Sequence, residues 1–186
     1  PAGESFRGSP AARAAFAVPA DGIGPERHLR PVLYAFLHLA LVQVLAVTSL
    51  LPLLPLLAAL YAAVLWLQAA PVAVVAGWLL LAGPVGVVLS CGYIWLLKKI
   101  ILRRIEPGIY AVHSALYLRK WLSDGIMRMS RAVLLPLYTT LYLPPYLRML
   151  GAKIGARAEI SSIWYMAPEL TDIAEESFFA DGSIIG

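Results

Sequence analysis

Between residues 31 and 97 the chain has no Asp, Glu, Lys or Arg. A spanning helix needs only about 20 predominantly apolar residues, and this run is much longer. Each Leu, Val, Ile or Phe favours the bilayer by roughly 0.3–0.6 kcal/mol, whereas a central charge opposes insertion by about 2.5–3.5 kcal/mol. The absence of charge therefore excludes a water-exposed fold for this stretch and implies a lipid bilayer as its partner.

Cysteine is nearly absent too. Cys91 is the single one, so no internal disulfide and no cysteine-based metal site can form. It lies in the apolar run, where a small packing role is expected. The three histidines, His28, His38 and His113, lack metal-ligand spacing, so no metal is expected. Large apolar residues are scarce before residue 31, where Pro, Gly and Ala dominate. Residues 1–30 cannot bury enough surface to offset their ordering entropy and are read as a flexible linker, with an ordered extended arm as the alternative. No initiating Met and no secretory signal pattern opens the chain. Both ends are expected to be cuts in a longer polypeptide.

What is present is organised by segment. The chain is 60% hydrophobic and only 14% charged, with mean hydropathy +0.76. This is far from the soluble average of about half apolar and a quarter charged. The net charge of +4 comes from cations placed just outside the apolar run. Arg27 and Arg30 precede it; Lys98, Lys99, Arg103 and Arg104 follow it. That placement suits membrane orientation and argues against nucleic acid as a partner. If both basic flanks stay cytoplasmic, the chain is a multi-pass protein of the inner (cytoplasmic) membrane with an even number of crossings. Two helices fit, over about 32–53 and 71–97, ended by Pro52 and Pro55 and begun by Pro71. Residues 56–70 are apolar enough for a three-span alternative. Pro84 is expected to kink the second helix. Gly86 and Ser90 form a small face for hairpin packing, or for contact with a second copy.

The segment 31–105 is thus the transmembrane region. Residues 106–150 follow as interfacial amphipathic and apolar helices. They open on the turn signal Glu106-Pro107-Gly108, and then mix Tyr110, Tyr117 and Trp121 with Arg119, Lys120 and Arg128. Residues 132–149, broken by Pro136 and Pro144-Pro145, belong at the interface or against the hairpin.

From residue 151 onward a period of six appears. Ile154 is followed by Ile160, and Ile173 by Phe179 and Ile185, with small residues four after the apolar ones. One inward apolar side chain per short strand, with small corners, describes a hexapeptide-repeat parallel β-helix. The register breaks between Ser162 and Thr171, where Trp164, Tyr165 and Pro168 suggest an irregular edge. Residues 151–186 would be only the first coils of an incomplete left-handed β-helix. Further C-terminal coils, or another copy in a homo-oligomer, are needed to complete it. Glu169, Asp172, Glu175, Glu176 and Asp181 are expected on its solvent face.

Lys98-Lys99, Pro107-Gly108-Ile109-Tyr110, Ser114, Tyr117-Leu118-Arg119, Trp121 and residues 146–155 (YLRMLGAKIG) together carry a resemblance. From about residue 31 onward the chain resembles the C-terminal membrane region of ε-poly-lysine-synthetase-like nonribosomal peptide synthetases. The resemblance implies an upstream carrier domain in the same chain and an acyltransferase-like β-helix. It also implies amide formation from amino acids held on phosphopantetheine, with no cofactor inside these residues. Acetyl transfer from acetyl-CoA to O or N, or a non-catalytic anchor, are the alternatives. These residues alone are expected to be inactive. Hexapeptide acyltransferases often use a His as base, and none lies in 154–186, so His113 stands as the candidate base and Arg119 as the candidate contact for the pantetheine phosphate.

Overall fold

The computed structural model describes residues 28–102, 105 and 110–185, together with the backbone of 6–7 and 12–13. Arg27, Arg103, Arg104, the turn at 106–108, Gly186 and most of the expected linker lie outside the described residues. Within that linker, β1 (Phe6–Arg7) pairs antiparallel with β2 (Ala12–Arg13).

Two rods of apolar helix dominate the first half. α1 (Pro31–Leu50) begins with proline in its first turn, where a missing N–H costs nothing. Pro52 does not end the rod. A 3-10 turn, Leu51–Leu53, carries the chain directly into α2 (Leu54–Trp66), giving 36 residues in all. Proline cannot bond the carbonyl four residues back, so Thr48 is left with a free acceptor. The Tyr93 hydroxyl donates to that carbonyl at 3.1 Å. The polar side chains at this break are satisfied within the helix: the Thr48 hydroxyl donates to Val44 O at 2.8 Å and the Ser49 hydroxyl to Ala46 O at 2.7 Å. α3 (Val72–Ile101) then continues for 30 residues with Pro84 inside it. Both rods are long and apolar enough to cross a membrane, and most of their large side chains face outward, with Phe36 75% and Leu80 77% exposed. A Cβ placed on Gly86 would meet nothing within 4 Å, so close helix packing does not use it.

α2 packs on α3, while α1 diverges from α3 below the 3-10 turn. α4 (Ala115–Val133) fills the resulting wedge. Ser114 caps it, its hydroxyl accepting from Tyr117 N at 3.1 Å. Leu118, Leu122, Ile126 and Met129 recur at helical spacing and are all buried. Gly125 faces α1 so closely that a Cβ there would sit 2.6 Å from a Leu45 methyl. The first helix of the segment expected at the interface thus packs against both α1 and α3. Residues 134–142 and α5 (Leu143–Met149) complete this base, with Leu134, Leu143 and Leu147 in the same core as Ile94 and Ile126.

The remainder folds into short parallel strand pairs. β3 (Lys153–Ile154), β4 (Glu159–Ile160) and β5 (Ile163–Met166) pair in turn with β6 (Asp172–Ile173), β7 (Phe178–Phe179) and β8 (Ser183–Ile185). The partners place Ile154 on Ile173, Ile160 on Phe179 and Met166 on Ile185. Met166, six after Ile160, is the third inward residue of the first turn of chain. The period of six thus continues to Met166. The surplus residue before Ile173 is taken up by a 3-10 turn, Pro168–Leu170. Trp164 is a bulge: Ile163 pairs with Ser183 and Tyr165 with Ile184, so Trp164 has no opposite number and points outward. At Gly155 the two layers approach closely: a Cβ there would come 2.4 Å from Glu175 N. Arg148 braces the junction with α5, its guanidinium donating to Ile154 O and Gly155 O, each at 3.0 Å.

Candidate functional site

Charged side chains gather where the helical base meets the strands. α3 contributes Lys98, α4 contributes Lys120 and Asp124, β5 contributes Tyr165, and the 3-10 turn contributes Glu169. The Lys98 ammonium donates to Glu169 Oε2 at 2.7 Å, with the side chains only 6% and 15% exposed. Lys120 pairs with Asp124 one helical turn on, donates to the Tyr165 hydroxyl at 3.2 Å, and stands 3.8 Å from Glu169 Oε1. Tyr165 in turn donates to Asp124 Oδ2 at 3.4 Å. Two ammoniums face two carboxylates, so the group is neutral as a whole and tolerates its burial.

Burial works against the Lys120 ammonium. The hydrogen bonds to Asp124 and Tyr165, with the Asp124 charge, outweigh it and raise its pKa. Lys120 is therefore a fixed cation at neutral pH and offers no base. Glu169 Oε1 is different: it is buried and has no hydrogen-bond partner. Glu169, Lys98, Lys99 and Trp95 line a cavity of about 300 Å³, where the Lys99 ammonium sits 4.7 Å from the Trp95 ring centre. The Glu169 side chain thus lines a space that admits a small organic group, with the Lys120 ammonium 3.8 Å from Oε1.

The residues singled out by sequence lie elsewhere. His113 is exposed, on the turn before α4, in the left-handed region at φ 70°. Its ring stands edge-on to Tyr34 at 4.6 Å, and its carbonyl accepts from Leu29 N at 3.0 Å. Arg119 is on the exposed face of α4 and makes no ion pair with any described residue. His38 stacks edge-on against Trp121 at 4.4 Å, with Nε2 buried and unpartnered. Asp172, Glu175, Glu176 and Asp181 are exposed as expected, whereas Glu169 turns inward. Its partner Lys98 lies 71 positions away, so no local pattern could have revealed the pair. Among the described residues no three His, Cys, Asp or Glu side chains converge to hold a metal.

Over 90 residues, 48% of this chain, the sequence is 46% identical to the delta-poly-L-ornithine synthetase of Acinetobacter baumannii (strain AB307-0294). That match relates the chain to a poly-amino-acid synthetase. The chain spans only 7% of that relative's length. No protein-family description and no solved structure matches it.

Proposed function

We propose that the chain is the membrane-anchored, acyltransferase-like part of a peptide synthetase that forms amide bonds from carrier-bound amino acids. The 46% identity to a poly-ornithine synthetase across 48% of the chain carries this reading. In it, α1–α2 and α3 cross the inner membrane as a hairpin with both basic ends cytoplasmic. The start of α1 lies beside the segment leading into α4, and Lys98 at the end of α3 meets Glu169, so both ends reach the same base. The parallel strand pairs are the first two coils of a left-handed hexapeptide-repeat β-helix, continued by further coils.

The chemistry is aminolysis of a thioester on a phosphopantetheine arm. The amine nitrogen bonds to the thioester carbonyl carbon, the C–S bond breaks, and the amine's proton ends on the released sulfur as a thiol. A carboxylate that carries this proton must lie near a cavity that admits the reactants. Glu169 lines such a cavity, with Lys98 on Oε2 and Lys120 3.8 Å from Oε1; His113 is exposed.

The test uses the full-length parent synthetase. Glu169→Gln preserves an acceptor for Lys98 and should lower amide formation by about 10²–10⁴, the range for general base catalysis, while aminoacyl loading of the carrier stays normal. Unchanged amide formation would remove Glu169 from this role. Full product from a parent lacking residues 154–186 and their continuation would instead favour a non-catalytic anchor, a reading that the neutral, self-paired charge cluster supports.

A further inference from the structure

Arg128 and Arg131 lie three apart on α4, beside the bulged Trp164 of β5. Both line one small cavity with Tyr138, Trp164 and Tyr165; its volume of about 20 Å³ admits a single oxygen-sized atom. Neither guanidinium has a carboxylate partner among the described residues. Arg131 stacks on the Trp164 ring, 4.3 Å from its centre, which fixes the plane of its fork. Its Nε is buried and donates to nothing. A buried guanidinium donor left open costs free energy, and elsewhere in this chain the buried cations, Lys98 and Lys120, are paired. The cavity thus leaves room for one acceptor atom beside two guanidiniums that have no carboxylate among the described residues.

We infer that Arg128, Arg131 and Trp164 form a binding site for a phosphate group, one oxygen of which enters the cavity to accept from Arg131 Nε. Two guanidiniums without a compensating carboxylate match a phosphate better than a carboxylate, because phosphate offers more acceptors and up to two charges. The phosphate comes from a phosphopantetheine arm or from a lipid headgroup. The site itself stands apart from the peptide-synthesis reading; only the pantetheine source depends on it. Arg119, the cation expected for this task from the sequence, lies on an exposed face with no second cation joined to it in a shared cavity.

Binding is measured by calorimetry on the whole chain in maltoside micelles, which contain no phosphate of their own. Phosphopantetheine should bind saturably and pantetheine at least about tenfold more weakly. Arg131→Met and Arg128→Met should each weaken binding about tenfold with unchanged helicity, and Arg119→Met should leave it intact. In a second arm, phosphatidylglycerol is added to the micelles. If it binds with the same dependence on Arg128 and Arg131 while phosphopantetheine does not, the group is a headgroup and the phosphate site stands. Acetate binding as well as phosphate, phosphopantetheine and pantetheine binding alike, or an Arg131→Met chain that binds every phosphate probe normally would each overturn the inference. Because Arg128 is exposed, its substitution tests the site even if Arg131→Met fails to fold.

Discussion

Replacing Lys98 by Met should expose how the strand region is held to the helices. At an effective dielectric of about 20, charges 2.7 Å apart attract by roughly 6 kcal/mol. Most of that offsets the cost of burying the two groups, so the pair's net worth is far smaller. Removing one partner is another matter, because Glu169 would keep its burial and lose its only hydrogen bond. Breaking buried pairs in this way costs about 3–5 kcal/mol. Lys120 remains 3.8 Å from Glu169 Oε1 and would partly compensate, which places Lys98→Met near 3 kcal/mol. Lys98→Met combined with Glu169→Met removes both charges and leaves Lys120 and Asp124 as a self-sufficient pair. The double variant should therefore be more stable than the single one, by about 2 kcal/mol. Equilibrium unfolding of the four chains in mixed micelles, followed by tryptophan emission, gives the cycle directly. If the two substitutions add within about 0.5 kcal/mol, Lys98 and Glu169 are not coupled and the clamp is wrong.

Gly155→Ala should destabilise the strand layers by about 1–3 kcal/mol, since the new methyl would meet rigid backbone at Glu175 rather than a side chain able to move. Hydrogen exchange should quicken at the amides of 153–160 and 172–179 while α2 and α3 stay protected. Asp181 provides a pH test. The hydroxyls of Ser161 and Ser162 donate to its carboxylate and hold its pKa below the usual aspartate value. A depressed folded pKa means that the contribution is present above the unfolded value and is lost as pH falls through the folded one. Carbon NMR should thus find Asp181 titrating below the usual aspartate range, and Ser161→Ala with Ser162→Ala should raise that midpoint. An unchanged midpoint in the double variant would refute the assignment of cause.

The apolar hairpin is legible because an absence of charge is a property of the chain alone. The rise and fall of the six-residue period was nearly as plain, but Met166 went unread as an inward residue because a flexible thioether does not stand out among branched aliphatics. The extra residue is absorbed at Pro168–Leu170, after Met166, and the bulge at Trp164 leaves the inward ladder intact. The amphipathic stretch that forms α4 is ambiguous for a related reason. A face of Leu, Ile and Met looks the same whether it meets lipid or protein; only Gly125, pressed on Leu45, marks the protein side. Lys98 was legible as a cation at a membrane margin, and Glu169 as a surface acid. Each assignment was reasonable singly, and their joining depends on how α3 and the 3-10 turn meet in space.

The wedge of α4 also bears on where a bilayer would lie. At 1.5 Å per residue, the 36 residues of α1–α2 and the 30 of α3 extend about 54 and 45 Å, well beyond a hydrocarbon core of about 30 Å. Polar α4 occupies the space between α1 and α3 up to the height of Leu45, and the charged cluster around Lys98 sits in the same layer. In that layer Lys120, Asp124 and Glu169 are largely shielded by protein, while the outer face of α1 still presents exposed Val32, Phe36 and Leu39. Above it, the tie from Tyr93 to Thr48 marks the level at which α3 closes on the other rod. From there to the tip, residues 48–66 and 72–93 extend about 28 and 33 Å, one bilayer core each. The Pro52 turn thus falls where α1 leaves the path of α2, and its freed carbonyl meets a hydroxyl rather than lipid. The proline turn that frees this carbonyl and the start of the outward-facing apolar helix pair thus fall at one level.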